Sequence, residues 1–192
     1  MLAISSKLLI CTYVLFAVSG FSYENSVQYD ALLSDGVGTQ FLTHNPKIIN
    51  REGKAIGHAI LTTTSNGSLV SFSVCDLPRG WHAVHIHNKG DCDDYARNFK
   101  SAGEIYNPNF LNHGYAHKRT KSGYSIGDLA NVYVGNEPCI HIEQLIPGLD
   151  RSALRRQIKG LALIFHAHAD DYYTQPDGGS GERLACAVLK RR

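Results

Sequence analysis

His85 and His87 stand two apart in the run Trp81-His82-Ala83-Val84-His85-Ile86-His87. Strand side chains alternate between faces, so Ala83, His85 and His87 share one face, with the two imidazoles about 7 Å apart along the strand. His82, Val84 and Ile86 take the other face, where the two aliphatics suit a core. Such a pair can hold one metal ion, since imidazole suits zinc, copper, iron and nickel. Read alone, it is equally two surface histidines on a half-buried strand. A third histidine ends the apolar run Gly160-Leu161-Ala162-Leu163-Ile164-Phe165-His166, and Ala169-Asp170-Asp171 follows closely.

The elements around these residues read as strands. Ile56–Thr63 and Leu69–Cys75 flank Ser65-Asn66-Gly67, a hairpin signal. Further strands are expected at Trp81–His87, Asn131–Val134, Ile140–Ile146, Leu161–His168 and Leu184–Leu189. One more before residue 55 makes about eight, and Val27–Leu33 is the candidate. Residues 150–157 predict a short helix capped by Asp150. Two long irregular stretches, 88–128 and 169–182, are of the kind that carry function.

Length and composition narrow the field. The chain has 192 residues, enough for one domain with a sizeable core. Its 19 basic and 17 acidic residues nearly cancel, so no nucleic-acid partner is indicated. The Gly-rich stretch Asp177-Gly178-Gly179-Ser180-Gly181 lacks the lysine of a phosphate-binding loop and precedes a strand. No Gly-x-Ser-x-Gly elbow is present.

The N-terminus reads as a secretory signal over residues 1–20. Lys7 precedes an apolar run from Leu8 to Val18, too short to span a bilayer comfortably. Cleavage is expected near Gly20 or Ser22, which predicts a secreted protein with no membrane attachment. An uncleaved anchor is the alternative. Cleavage removes Cys11 and leaves Cys75, Cys92, Cys139 and Cys186, an even number that suits two disulfides in an oxidising compartment. Sequence alone allows three pairings. Asn66-Gly67-Ser68 is a glycosylation sequon on a turn.

Between the histidine strands lie Ser101-Ala102-Gly103, Tyr106-Asn107-Pro108, His113-Gly114 and Gly127-Asp128-Leu129-Ala130-Asn131-Val132. After them comes Gly181-Glu182-Arg183-Leu184-Ala185-Cys186-Ala187-Val188. In this order and spacing the blocks resemble the copper/zinc superoxide dismutases. The resemblance covers residues 55–192, and residues 21–54 match poorly. It implies an all-β fold, an eight-stranded Greek-key β-barrel of immunoglobulin-like sandwich type with two long external loops. It pairs Cys92 with Cys186 and leaves Cys75 and Cys139 for each other on neighbouring strands.

The resemblance also assigns roles. His85, His87 and His166 match copper ligands, His113 and Asp128 match zinc ligands, and Asp170 matches the aspartate linking the two sets. Arg183 matches the catalytic arginine that holds the anion. Ile105 stands where the family has the histidine bridging both metals, and Ser125 where it has another zinc histidine. Copper through three histidines is therefore expected and zinc is not, with His113 and Asp128 as vestigial zinc positions. A fourth copper ligand would have to come from water, Tyr106 or a displaced His113. His168, two beyond His166, is an extra candidate. Asp177 stands where the anion channel often has threonine, and a negative charge there should repel superoxide.

Two functions follow: a weak superoxide dismutase with a degraded metal site, or a non-catalytic member binding copper or a protein partner. A homodimer is compatible with either.

Overall fold

The computed structural model describes residues 40–41, 46–64, 66–114 and 125–189. The expected strand at Val27–Leu33, the N-terminal signal and Cys11 lie outside them. Ten strands occur among the described residues: β1 (Gln40–Phe41), β2 (Lys47–Asn50), β3 (Ala55–Thr63), β4 (Gly67–Cys75), β5 (Gly80–His82), β6 (Val84–His87), β7 (Val132–Val134), β8 (Cys139–Pro147), β9 (Leu161–His166) and β10 (Arg183–Leu189). An eight-stranded antiparallel sheet runs β6-β9-β10-β2-β3-β4-β8, with β1 on the far end of β3, and curls into the expected β-barrel architecture. Among the described residues no helix is long and apolar enough to cross a membrane.

The inner face of this sheet is apolar because the sequence alternates. In β4, Val70, Phe72 and Val74 are buried between half-exposed serines, and in β3 Ile56, Ala59 and Leu61 face them. β9 is buried on both faces. Leu161, Leu163 and Phe165 enter the main core, while Ala162 and Ile164 pack with Cys92, Phe99 and Cys186 under the first long loop. The helix α1 (Arg151–Arg156) starts at Asp150, whose side chain accepts from Ala153 N at 2.7 Å.

Three expectations change. The single strand over residues 81–87 is two. β5 pairs with β7 in a separate ribbon, whereas β6 pairs with β9, and the partners change at Ala83. The strand expected to reach His168 stops at His166, after which the chain turns outward. A strand unread in the sequence, β2, sits between β10 and β3 and buries Ile48.

Both disulfides are formed. Cys75 and Cys139 are register partners on β4 and β8. Cys92 joins the first long loop to β10 at Cys186. Asn66 lies exposed in the β3–β4 turn.

Candidate metal centre

The edge strand β6 presents His85 and His87, and the adjacent β9 ends on His166, whose N–H donates to the Ala83 carbonyl just before β6. All three are at least 98% buried, so the surface-histidine alternative fails. One ring nitrogen from each lies within 4.8 Å of the other two.

Hydrogen bonds on the outer side of each ring decide which nitrogens these are. His85 Nε2 donates to Asp170 Oδ2 at 2.9 Å. His87 Nδ1 donates to the Gly103 carbonyl at 2.9 Å. His166 Nδ1 donates to Ser180 Oγ at 3.0 Å, with the Gly181 carbonyl at 3.3 Å. A neutral imidazole carries one N–H, so each inner nitrogen is left with a lone pair. His85 Nδ1 and His166 Nε2 face each other at 3.1 Å, and His87 Nε2 is buried without a partner. Three converging lone pairs that no protein donor satisfies can hold a cation between them. This is the orientation that outer hydrogen bonds impose on metal-binding histidines.

Electrostatics agree. Burial pushes His87 down to about 3, assisted by the Arg183 charge. Burial, then the neighbouring His85, holds His166 well below the ordinary histidine value. Both rings are neutral near pH 7 and need lose no proton to accept a metal.

Asp170 is the hinge of the site. Its Oδ2 serves His85, and its Oδ1 accepts from His113 Nε2 at 2.9 Å and from Tyr172 N at 2.6 Å. Burial would raise its carboxyl. Hydrogen bonds from His113 and His85 overcome that and hold it well below the usual range. On the other side of His113, Nδ1 lies 3.0 Å from Asp128 Oδ1. This short approach lacks hydrogen-bond alignment and is an ion pair. Burial disfavours charge on His113, but the two flanking carboxylates win and raise it to about 9. The ring is therefore an imidazolium between Asp128 and Asp170. Asp128 also accepts from Gly114 N at 2.7 Å.

The cleft above has a volume of about 670 Å³. His87, His166, His113, Asp128 and Arg183 reach it, and so do Ile105, Ser125 and Asp177. Arg183 donates to the Phe99 and Gly103 carbonyls, each at 2.8 Å. Gly103 O thus holds both His87 and Arg183, and the Cys92–Cys186 bridge fixes the loop that carries it. Ile105 bridges to His87 by backbone, and its side chain packs over Gly127. Ser125 Oγ is buried without a partner. His168 is exposed beyond the strand end and joins neither histidine cluster, which corrects its candidacy. The Tyr106 ring belongs to the main core and its hydroxyl is buried and unpartnered.

Sequence reasoning missed Asn131, Gln175, Gly178 and Ser180. Asn131 exchanges hydrogen bonds with both backbone groups of Asp170. Its place in the Gly127–Val132 block was a signal that could have found it. Gln175 does the same for His113, with no sequence signal at all.

A copper/zinc superoxide dismutase family model matches residues 55–189. A copper/zinc superoxide dismutase of Aquifex aeolicus is 32% identical over 165 residues, covering 83% of this chain and 93% of the relative. The superoxide dismutase-like protein YojM of Bacillus subtilis is 33% identical, covering 80% and 79%. The crystal structure of a superoxide dismutase-like protein from Bacillus subtilis superposes with a TM-score of 0.67 at 33% identity, over 78% of this chain and 99% of that one. With the histidine cluster in place on this fold, the chain belongs to the copper/zinc superoxide dismutase family.

Proposed function

We propose that this is a secreted protein that holds copper through His85, His87 and His166 and retains weak superoxide dismutation. The observation carrying this is the convergence of three lone pairs whose outer nitrogens are all committed to acceptors. Three imidazoles suit copper, which when bound supplies one-electron exchange with superoxide. Zinc fits the neighbouring residues poorly. His85 lies close enough to His113 and Asp128 to share an ion with them, but it also belongs to the copper set, which leaves His113 and Asp128 as two donors where a structural zinc site takes four.

The protein's own residues explain why turnover should be weak. Dismutation of two superoxide anions takes up two protons and yields dioxygen and hydrogen peroxide. Ile105 cannot carry a proton, so both come from water in the cleft. Arg183 stays at the cleft with its guanidinium tied in place, a fixed positive charge for an anion. Asp177 and Glu104 lie close enough to offset it. Secretion is supported by the N-terminal pattern and by two disulfides, which persist in oxidising compartments. Asn66 would be glycosylated on that route.

The second reading is a non-catalytic copper-binding member, favoured by Ile105 and Ser125 together. Superoxide decay by pulse radiolysis on copper-loaded protein, with His166→Ala as control, separates the two. Decay faster than in the control, even at a modest rate, supports the enzyme. Decay equal to the control leaves copper binding alone.

A further inference from the structure

Gln175 makes an arrangement that neither the histidine cluster nor the family assignment accounts for. Its Oε1 accepts from His113 N at 2.9 Å, and its Nε2 donates to His113 O at 3.1 Å. The second Nε2 hydrogen goes to Tyr173 O at 3.1 Å. The carboxamide thus has both donors and its oxygen in use, and it copies a two-bond β-pairing onto one residue 62 positions away. Only one orientation of the amide permits this, because the reverse sets NH₂ against the His113 N–H.

Three further carboxamides close on the two backbone groups of a single residue. Asn131 clasps Asp170, Gln144 clasps Ala130, and Asn107 clasps Leu111. Gln144 stands on β8 and Ala130 adjoins Asn131, so this series runs from the sheet to Asp170. Gln175 then ties the loop bearing Asp170 to the one bearing His113. Through those two anchored residues runs the chain Asp128–His113–Asp170–His85. If His113 moves, Asp170 loses one of its two imidazole donors, and the outer hydrogen bond that fixes the His85 tautomer is disturbed.

We propose that Gln175 is a positioning residue for the metal centre: by clamping His113 to the second loop, it sets Asp170 and hence His85, doing with hydrogen bonds what a second metal ion would otherwise do between these loops. The proposal rests on the reading of His85, His87 and His166 as a copper site. Its clamp, however, can be observed without metal.

The test uses full-length mature protein, wild type and Gln175→Ala and Gln175→Glu. Glutamate keeps the acceptor for His113 N and loses the donor to His113 O. In metal-free protein, amide hydrogen exchange at His113 is expected to speed at least about tenfold in Gln175→Ala and less in Gln175→Glu. With Cu(II) added, Gln175→Ala is expected to bind about tenfold more weakly, within the range for outer-sphere changes, and to show an altered EPR spectrum. Gln175→Glu should fall between. Thermal melting checks that all three fold. Unchanged His113 exchange would overturn the clamp. Faster exchange with wild-type copper affinity and spectrum would overturn the positioning role. Wild type that binds no copper would sink the metal reading itself, and is seen before any variant is compared.

Discussion

Gly178 lies against the Asp170 carboxylate so closely that a Cβ at residue 178 would stand 1.8 Å from Oδ1. It would also stand 2.8 Å from His113 Nε2. Gly178 has φ +67°, a conformation that costs side-chain-bearing residues energy. The second loop can roof the Asp170–His113 contact because a glycine is there.

Gly178→Ala should therefore break that contact rather than displace a flexible surface group, since Asp170 is pinned by its backbone too. The expected loss is about 1–3 kcal/mol of folding stability, the range for forcing a strained backbone conformation. Urea unfolding of metal-free protein would show it as a lower midpoint at unchanged slope. Copper affinity should fall alongside. A wild-type midpoint would mean the loop shifts at no cost.

The stability of metal-free protein should peak near pH 6–7 and fall on both sides. His113 is raised from an ordinary 6.5 to about 9. Its contribution is complete below 6.5 and is lost as pH rises toward 9. His87 is lowered to about 3, and His166 is lowered too. The unfolded chain then binds more protons below 6.5, so stability declines as pH falls from 6.5 toward 3. Asp170 adds to the acid loss once pH drops below the ordinary aspartate value. Chemical unfolding from pH 4 to 9.5 would trace both arms. His113→Gln should flatten the alkaline arm and leave the His87 and His166 part of the acid arm in place, while weakening the Asp170 part that depends on His113. An alkaline arm that survives the substitution would assign it to another group.

How much of this was legible in the sequence depends on the range of the signal. The two-residue spacing of His85 and His87 and the alternation of β4 are local, and both survive in the structure. The break at Ala83 is not local. Strand alternation continues through residues 81–87 while the pairing partner changes from β7 to β9. The sharing of a face by His166 and His168 fails for the same reason, because nothing in alternation tells where pairing ends. The four residues Lys47–Asn50 are too few to show a period. The Gln175 carboxamide meets His113 at its backbone N–H and carbonyl, which every residue carries, so the identity of residue 113 could not announce the contact.

Opening the Cys92–Cys186 bridge should affect more than stability. It closes a span of 94 positions, worth about 4–5 kcal/mol by loop-entropy reasoning. Cys75–Cys139 closes a span of 64 and should contribute a similar amount, about 4 kcal/mol. The two differ in what they hold. The first secures the loop whose Phe99 and Gly103 carbonyls orient Arg183 and His87. Cys92→Ser with Cys186→Ser should therefore weaken copper binding, whereas Cys75→Ser with Cys139→Ser should leave it near wild type at equal folded fraction. Copper titration at low temperature, where both variants remain folded, makes the comparison. Equal affinities would show that the loop keeps its place without the bridge.

Ile105→His asks whether one side chain separates this site from a competent one. Ile105 faces the cleft beside His87, within reach of the surface shared with His113 and Asp128. A histidine there adds an imidazole donor to the cleft and a group able to carry a proton. Copper affinity is expected to rise about tenfold or more, in line with gaining one ligand. Superoxide turnover should rise with it, since general acid catalysis by a placed side chain contributes about 10²–10⁴-fold. Gly127 limits the gain, because the Ile105 side chain already stands 2.6 Å from where a Cβ on residue 127 would lie, leaving little room on that side. Isothermal titration with Cu(II) and pulse radiolysis on the same preparation measure the two gains separately. Higher affinity without faster decay would place the defect in the cleft, where Asp177 opposes Arg183. In that case Asp177→Asn, added to Ile105→His, should raise the rate most strongly at low ionic strength, where an unscreened charge acts furthest on an incoming anion.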